Sequence, residues 1–137
     1  MGDLSQLGEC FLNFIDNAYD SMKSKEQLIS EGKLQLRNGA QPYRGAILIH
    51  AWVKDPKTVQ IVIADNGTGV HAEELRKLFI PFYTTKATAE KGTGLGLYVI
   101  KQVIEAHGGT IQAKSTYGEG MTFTIELPIA TVAAAVG

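Results

Sequence analysis

Two stretches of the chain carry apolar side chains at helical spacing, and the longer one lies at the amino-terminal end. Its apolar positions return every three or four residues, at Leu7, Phe11, Phe14, Ile15, Ala18 and Met22. This period predicts an amphipathic helix over residues 4–24. The run from Leu95 to Ala106 has the same period and stops at His107-Gly108-Gly109, so it predicts a second long helix. Residues 72–79 predict a shorter helix between them.

Four runs rich in β-branched residues predict strands, at 46–53, 58–65, 109–115 and 121–128. The turn Lys-Asp-Pro-Lys joins the first pair and Thr-Tyr-Gly-Glu-Gly joins the second, so each pair predicts a hairpin. Apolar residues tend to alternate in the second and fourth runs, as expected when helices cover one face of a sheet. The order helix, hairpin, helix, helix, hairpin predicts an α+β fold, a two-layer α/β sandwich with a largely antiparallel sheet.

The length and the punctuation of the chain predict one domain over residues 1–137. A chain of 137 residues with 45% hydrophobic content can bury one sizeable core. Residues 25–45 are polar and contain Gly32, Asn38-Gly39 and Pro42, which indicates a helical extension that breaks into a loop. This stretch is either a feature near a ligand or partner, or a tolerated surface insertion. Residues 129–137 are small and predict a frayed tail.

The charge and the cysteine content exclude several classes of function. Thirteen basic and fourteen acidic residues give a net charge of −1, which argues against a nucleic-acid partner or membrane contact by this domain. No apolar run approaches the roughly 18 residues of a membrane span. The single Cys10 lies on the apolar face of the first helix and predicts a small buried hydrophobe in a reducing, cytoplasmic compartment.

Three polar or glycine-rich clusters require an explanation beyond packing. Asn13, Asn17 and Asp20 lie within about 60° of one another on the first helix. The sequence Asp-Asn-Gly-Thr-Gly at 65–69 ends a strand, and Gly-Thr-Gly-Leu-Gly at 92–96 precedes a helix whose amino terminus favours an anion. Alone, the second is an ordinary turn and the third an ordinary connector. The glycine spacing matches neither the dinucleotide fingerprint nor the P-loop, so together the clusters indicate a nucleotide site of another design.

The order of these clusters resembles the four ATP-binding boxes of sensor histidine kinases. The boxes correspond to Asn13-x-x-x-Asn17-Ala18, to Asp-x-Gly-x-Gly at 65–69, to Phe-x-Pro-Phe-Tyr-Thr-Thr-Lys at 79–86 and to Gly-Thr-Gly-Leu-Gly-Leu at 92–97. The resemblance covers nearly the whole chain. It implies the Bergerat fold of the GHKL superfamily, with a mixed, mostly antiparallel sheet packed against about three helices, and it implies ATP and Mg²⁺ as cofactors.

The resemblance also implies a role for each matching residue on the helix and strand side of the site. Asn17 would coordinate Mg²⁺, and Asn13 would support it from one turn earlier. Asp65 would accept a hydrogen bond from the adenine amine. Room for the base would come from Gly67 and Gly69, with packing from Val70, and Thr122 would reach the adenine region.

On the lid side, Gly92, Thr93, Gly94, Leu95 and Gly96 would fold over the triphosphate. Lys86 would meet a phosphate there, or would be a solvated lid residue. Asp20 departs from the family pattern, because many kinases place a basic residue at that position to bind a phosphate. Asp20 therefore either takes part in the ATP site or faces solvent.

Position 13 distinguishes between the activities of the superfamily. Gyrase-like ATPases resemble this chain but place a glutamate there as general base, whereas an amide has no useful basicity. We therefore expect poor hydrolysis, and transfer of the ATP γ-phosphate to a histidine.

None of the three histidines matches a phosphoacceptor box, so the dimerisation and sensor domains are expected outside this chain. The expected partners are that dimerisation domain and a response regulator, with the isolated domain a monomer. The alternatives are an ATP-binding regulatory module without phosphotransfer, or an ATPase.

Overall fold

A computed structural model describes residues 4–34, 42–80 and 97–130 of the chain. Three helices lie within these ranges: α1 (Leu4–Ser30), α2 (Ala72–Leu75) and α3 (Leu97–Ala106). Four strands accompany them: β1 (Ile47–Asp55), β2 (Thr58–Asp65), β3 (Thr110–Thr116) and β4 (Gly120–Pro128). No described helix combines the length and the apolar character that a membrane crossing requires.

Helix α1 continues six residues past its predicted end, to Ser30. The prediction stopped at residue 24 because the apolar period stops there, but burial does not. Lys25 lies on the same face as Phe14 and Ala18 and is only 7% exposed. The first part of the predicted extension is thus helical, and Gly32, whose φ is 75°, follows two residues after the helix end.

Helix α2 is shorter than predicted. Regular α-helix covers only Ala72–Leu75, and the chain then continues in tighter turns, with Lys77 N–H donating to the Glu74 carbonyl and Leu78 N–H to that of Leu75. These turns bring Leu78 into the interior, where it is 3% exposed.

The four strands form one sheet in the order β1-β2-β4-β3. All three strand pairings in the described part of the chain are antiparallel, so the parallel component of the expected mixed sheet is not found there. Both predicted hairpins are present, β1–β2 and β3–β4. Strand β1 is the outer strand of this sheet beside β2, and Leu48 and Val53 on its two faces are 62% and 64% exposed.

The core lies between the sheet and helices α1 and α3. It consists of Cys10, Phe14, Ile63, Ile100, Ile104, Ile111, Phe123, Ile125 and Leu127. The rings of Phe14 and Phe123 join α1 to β4, with 4.8 Å between their centroids. Helix α3 ends as predicted at His107-Gly108-Gly109, where Gly109 N–H donates to the Ile104 carbonyl and the His107 ring contacts the Val103 carbonyl.

Candidate functional site

A cavity of about 650 Å³ opens between α1 and the sheet. One wall is the side of α1 that carries Asn17 and Asp20. The other walls are the loop after β2, the turns after α2, the start of α3 and the first residues of β4. The lining residues include Asn17, Asp20, Ser21, Asp65, Thr68, Gly69, Val70, Leu78, Leu97, Tyr117, Met121 and Phe123. The volume is in the range of small-molecule sites, about 300–1,000 Å³.

Helix α1 presents Asn17 and Asp20 to this cavity, and Ser21 beside them. The packing of Phe14 and Ala18 against the sheet fixes the rotation of the helix, so the neighbouring face is turned to the cavity. Two oxygen-bearing side chains three residues apart thus face one space.

Asn13 is not brought to the cavity. Its side-chain Nδ2 donates to the Glu9 carbonyl of the same helix, at 2.9 Å, and Asn13 does not belong to the described lining. The reason is local: an asparagine in a helix can satisfy its amide on the preceding turn. Asn13 and Asn17 still lie one turn apart on the same face of α1, but only Asn17 belongs to the described lining, so the predicted supporting role of Asn13 stays a prediction.

Asp65 lies at the end of β2, where the strand meets the cavity. Its carboxylate accepts a hydrogen bond from Gly67 N–H, at 2.8 Å, and another from Met121 N–H. Burial raises the pKa of Asp65, while these two amide groups and the positive charge of Lys25 act in the opposite direction. A partly buried carboxylate held by backbone donors is a fixed acceptor for one further donor from a ligand.

The loop after β2 is tied to α1 through Gly67 and Thr68. Thr68 N–H donates to Ser21 Oγ at 3.0 Å, and the Thr68 and Ser21 hydroxyl oxygens are 3.2 Å apart. A Cβ atom at Gly67 would lie 2.7 Å from the carbonyl carbon of Ser21, so only glycine permits this approach. Gly67 is not part of the described lining, so its predicted role, room for the base, stays a prediction; the structure shows it as the contact between loop and helix.

The same loop is tied to the β3–β4 hairpin through Gly69 and Val70. Gly69 has a φ of 65° and lies against the backbone of Gly120, where a side chain would collide. Val70 N–H donates to Ser115 Oγ at 2.9 Å, and that hydroxyl donates to the Gly120 carbonyl at 2.7 Å. Ser115 therefore fixes the position of the loop, and Val70 lines the cavity.

Thr122 does not line the cavity, and Met121 and Phe123 occupy that face of β4. Successive side chains of a strand point to opposite faces of the sheet, so Thr122 shares a face with Thr124 and not with the buried Phe123. The alternation in the sequence contains this information: counting back by two from Phe123 leads to Met121.

Several lining residues were not predicted, among them Ser21, Thr68, Leu78, Tyr117 and Met121. Ser21 follows the predicted Asp20, and Thr68 lies between the predicted Gly67 and Gly69. Their positions next to predicted residues could have indicated them. Tyr117 stacks on His71 with 4.0 Å between ring centroids, a contact that no local pattern indicates. The predicted lid residues lie outside the described part of the chain: Lys86, Gly92, Thr93, Gly94, Leu95 and Gly96.

The oxygen donors of the cavity fit Mg²⁺ bound together with a phosphate ligand. No group of three His, Cys, Asp or Glu side chains that could hold a metal occurs among the residues described. Mg²⁺ is commonly held by one or two protein oxygens, with phosphate oxygens and water as the other ligands. Asn17 and Asp20 supply such oxygens on the cavity wall.

The fold and the site together define a class of nucleotide-binding sandwich domains, and the family comparison agrees. The chain belongs to the histidine kinase-, DNA gyrase B- and HSP90-like ATPase family, whose model matches residues 2–131. The signal transduction histidine-protein kinase AtoS of Escherichia coli is 38% identical over 122 residues, 87% of this chain and 20% of that protein. Sensor kinase CckA of Brucella abortus is 37% identical over 127 residues, 92% of this chain and 13% of that protein. The chain thus spans a fifth or less of these curated relatives.

Solved structures give the same result for the fold. The mycobacterial sensor histidine kinase MprB superposes with a TM-score of 0.68 at 28% identity, covering 93% of this chain and 75% of that one. The catalytic domain of histidine kinase ThkA superposes with a TM-score of 0.65 at 26% identity, covering 93% and 68%. The predicted family and the predicted α/β sandwich are both confirmed.

Proposed function

We propose that this chain is the ATP-binding catalytic domain of a sensor histidine kinase. It binds ATP in the cavity beside α1 and transfers the γ-phosphate to a histidine on a dimerisation domain, from which a response regulator receives it. The observation that carries the proposal is the convergence of Asn17 and Asp20 on α1 with Asp65, Gly69 and Val70 around one cavity.

The two ends of the cavity suit the two ends of a nucleotide. At one end, the Asp65 carboxylate is held by two backbone amides. It accepts a hydrogen bond from the exocyclic amine of adenine, a group that guanine lacks at that position. Along α1, the Asn17 amide oxygen would hold Mg²⁺, which shields the charge of the phosphates when it is bound. Asp20 carries a negative charge on the same wall, so phosphate binding here depends on that shielding.

Position 13 supports phosphotransfer to histidine over hydrolysis. The Asn13 amide is bonded to its own helix and has no basic lone pair, so it activates neither water nor a hydroxyl. An imidazole attacks phosphorus through its own lone pair and needs no such base. The contribution of the domain is then to position ATP and to stabilise charge.

The partners and the location are parts of the same proposal. The curated relatives are five or more times longer than the share matched here, which leaves room for dimerisation and sensor domains in a longer protein. A cytoplasmic site for the catalytic domain is consistent with Cys10, a buried and unpaired thiol.

A phosphotransfer assay tests the kinase reaction. The chain is incubated with Mg²⁺ and ATP labelled on the γ-phosphate, together with a dimerisation domain that carries a phosphoacceptor box. We expect acid-labile, base-stable label on that domain, and none when its acceptor histidine is replaced by glutamine. Normal ATP binding without such label would reject the kinase and leave a regulatory ATP-binding module, whereas release of labelled phosphate alone would indicate an ATPase.

Calorimetric titration with ATP tests the site. Asn17→Ala should weaken binding only when Mg²⁺ is present, because the amide acts through the metal. Asp65→Asn should weaken binding with and without Mg²⁺, because the carboxylate contacts the base. If both variants bound ATP as tightly as the parent chain, the assignment of the cavity would be wrong.

A further inference from the structure

Lys25 is a buried lysine in the polar extension of α1, a part of the chain to which the ATP-binding boxes give no role. Its side chain is 7% exposed, whereas Lys23 on the same helix is exposed. Burial of an ammonium group is unfavourable unless the group is paired, so a buried lysine needs an explanation.

The ammonium group of Lys25 is directed at the loop that follows Asp65. Nζ donates to the Asn66 carbonyl at 3.2 Å and lies 4.9 Å from the centroid of the Tyr43 ring. Burial lowers the pKa of Lys25, while the negative charges of Asp65 and Glu119 act to raise it. The cation therefore has a carbonyl and an aromatic face beside it, and the negative charges of Glu119 and Asp65 also act on it.

Tyr43 holds the same carbonyl from another direction. Its hydroxyl donates to the Asn66 carbonyl at 2.9 Å, and burial beside Asp65 and Glu26 raises the pKa of Tyr43 to about 12. The phenol thus stays protonated and remains a donor at neutral pH.

The Asn66 side chain completes this arrangement. Its Oδ1 accepts from Ala46 N–H at 2.7 Å, and its Nδ2 donates to the Arg44 carbonyl at 2.8 Å. Asn66, the residue next to Asp65, is therefore bonded to α1 through its main-chain carbonyl, and to the segment before β1 through both its main chain and its side chain. These bonds fix the main chain between Asp65 and Gly67, the residue whose N–H donates to the Asp65 carboxylate.

We propose that Lys25 is a positioning residue for Asp65, which with Tyr43 clamps the Asn66 carbonyl and supplies the positive charge that balances the adenine-binding carboxylate. The inference rests on the proposed ATP-binding function and gives the extension of α1 a role in it. Lys25 touches no reacting atom and acts only through Asp65 and its loop.

The competing interpretation is that Lys25 only packs the end of α1, and three substitutions separate the two. Lys25→Met keeps the length of the side chain and removes the charge, Lys25→Arg keeps the charge, and Tyr43→Phe removes one hydrogen bond. Lys23→Met is the matched control, because it removes the same charge from an exposed position on the same helix. A purely structural role predicts that melting temperature and ATP affinity change together.

Calorimetric titration of the whole chain with ATP and Mg²⁺, repeated between pH 5 and pH 8, provides the main measurement. Lys25→Met should weaken ATP binding on the order of tenfold at pH 7, the loss typical of a hydrogen bond to a charged group. Lys25→Arg should retain most of the affinity, and Lys23→Met should match the parent chain.

The pH profile supplies a measurement that simple packing would not change. The groups around Asp65 are the Lys25 ammonium from α1, the Tyr43 phenol from the segment before β1, and the amides of Gly67 and Met121. Burial raises the pKa of Asp65, and the Lys25 charge counteracts this effect, so removal of the charge raises the pKa of Asp65 further. ATP binding by Lys25→Met should then decline at a higher pH than in the parent chain as the solution is acidified, with Lys25→Arg close to the parent.

A double substitution separates failure of the inference from failure of the proposed function. In the Asp65→Asn background, Lys25→Met should cause no further loss of ATP affinity, because its effect passes through Asp65. If Asp65→Asn alone left ATP affinity unchanged, the proposed adenine site would fail. If Asp65→Asn weakened binding while Lys25→Met bound ATP like the parent at every pH, only the inference would fail.

Loss of folding in Lys25→Met would not end the test, because Tyr43→Phe is a milder change. That variant should stay folded by circular dichroism and lose ATP affinity severalfold, because the Asn66 carbonyl then keeps a single donor. Unchanged affinity in both Tyr43→Phe and a folded Lys25→Arg, with Lys25→Met unfolded, would assign Lys25 to packing and overturn the inference.

Discussion

A methyl group added at Gly67 should destabilise the domain and disturb the site, and the structure sets the size of the effect. The added Cβ would collide with Ser21 Oγ and would lie 2.7 Å from the carbonyl carbon of the same residue. The hydroxyl can rotate away, but the backbone carbon belongs to a helix packed on the core and cannot. Either the loop or α1 must move, and overpacking of this kind costs about 1–3 kcal/mol.

We expect Gly67→Ala to lower the free energy of unfolding by about 2 kcal/mol, in the middle of that range. For a domain of this size, that corresponds to a fall in melting temperature of about 6–10 °C. Unfolding followed by circular dichroism, with heat and with urea, measures both quantities. The displaced loop carries Thr68 beside the cavity, so ATP affinity should fall as well.

Gly8→Ala is the matched control, because the same substitution there should have the opposite sign. Gly8 lies within α1, and a Cβ atom at that position would meet no atom within 4 Å. Replacing a helical glycine by alanine stabilises a helix by about 0.5–1 kcal/mol. Gly8→Ala should therefore raise the melting temperature and leave ATP affinity unchanged.

A second substitution tests the cause of the effect. Ser21→Gly removes the hydroxyl and the Cβ that collide with the alanine, but leaves the backbone contact in place. Combined with Gly67→Ala, it should restore only part of the lost affinity, because the backbone contact remains and Thr68 N–H loses the Ser21 hydroxyl as its acceptor. Equal stability of Gly67→Ala and the parent chain would refute the reasoning, as would equal shifts at Gly67 and Gly8.

Two further predictions concern the core and the cavity wall. Phe14→Ala should lower the free energy of unfolding by about 3–5 kcal/mol in urea titrations, because Phe14 is 1% exposed and packs against Phe123 of the sheet. The exposed Leu12→Ala should cost less than about 1 kcal/mol, and similar losses would contradict the placement of the core. Asp20→Asn should strengthen binding of metal-free ATP in calorimetry, most clearly at low salt, because it removes a negative charge from the cavity wall. Asp16→Asn, an exposed position outside the described lining, should have a smaller effect, and equal effects of the two would show that Asp20 does not face the phosphates.

The elements with a clear period were predictable, and their irregular ends were not. The apolar residues of α1 and α3 return every three or four positions, and both hairpins have unmistakable turns, so their existence followed from local chemistry. The tight turns that bring Leu78 inward were missed, because the apolar positions of 72–79 also fit a regular helix. Strand β1 was predicted as a strand, but its exposure at Leu48 depends on what lies beside it, which the local pattern does not specify.

In the site, sequence reasoning found the residues that can be recognised by their type and their order in the chain. It missed residues that are brought to the site by contacts between segments far apart in the sequence. Asp65 and Asn17 were predictable because carboxylate, amide and glycines occur in a recognisable order. Thr122 was predicted at the site, but its neighbour Met121 lines the cavity instead. The alternation of side chains along the strand could have prevented this error. Lys25 and Asn66 are 41 residues apart in the chain, and no local period connects them.

One face of α1 serves both the core and the site, and its residue types change where its surroundings change. Cys10, Phe14 and Ala18 point at the sheet, and Ser21 and Lys25 follow them within about 80° of the same direction. The stripe stays buried or half-buried but becomes polar where the helix meets the loop after Asp65. Because one rigid helix carries both parts, the packing that sets its rotation also sets the direction of its cavity-facing side chains. A substitution that shifts α1 should therefore change stability and ATP affinity together, whereas a change at Lys25 that leaves the helix in place should alter affinity and its pH dependence alone.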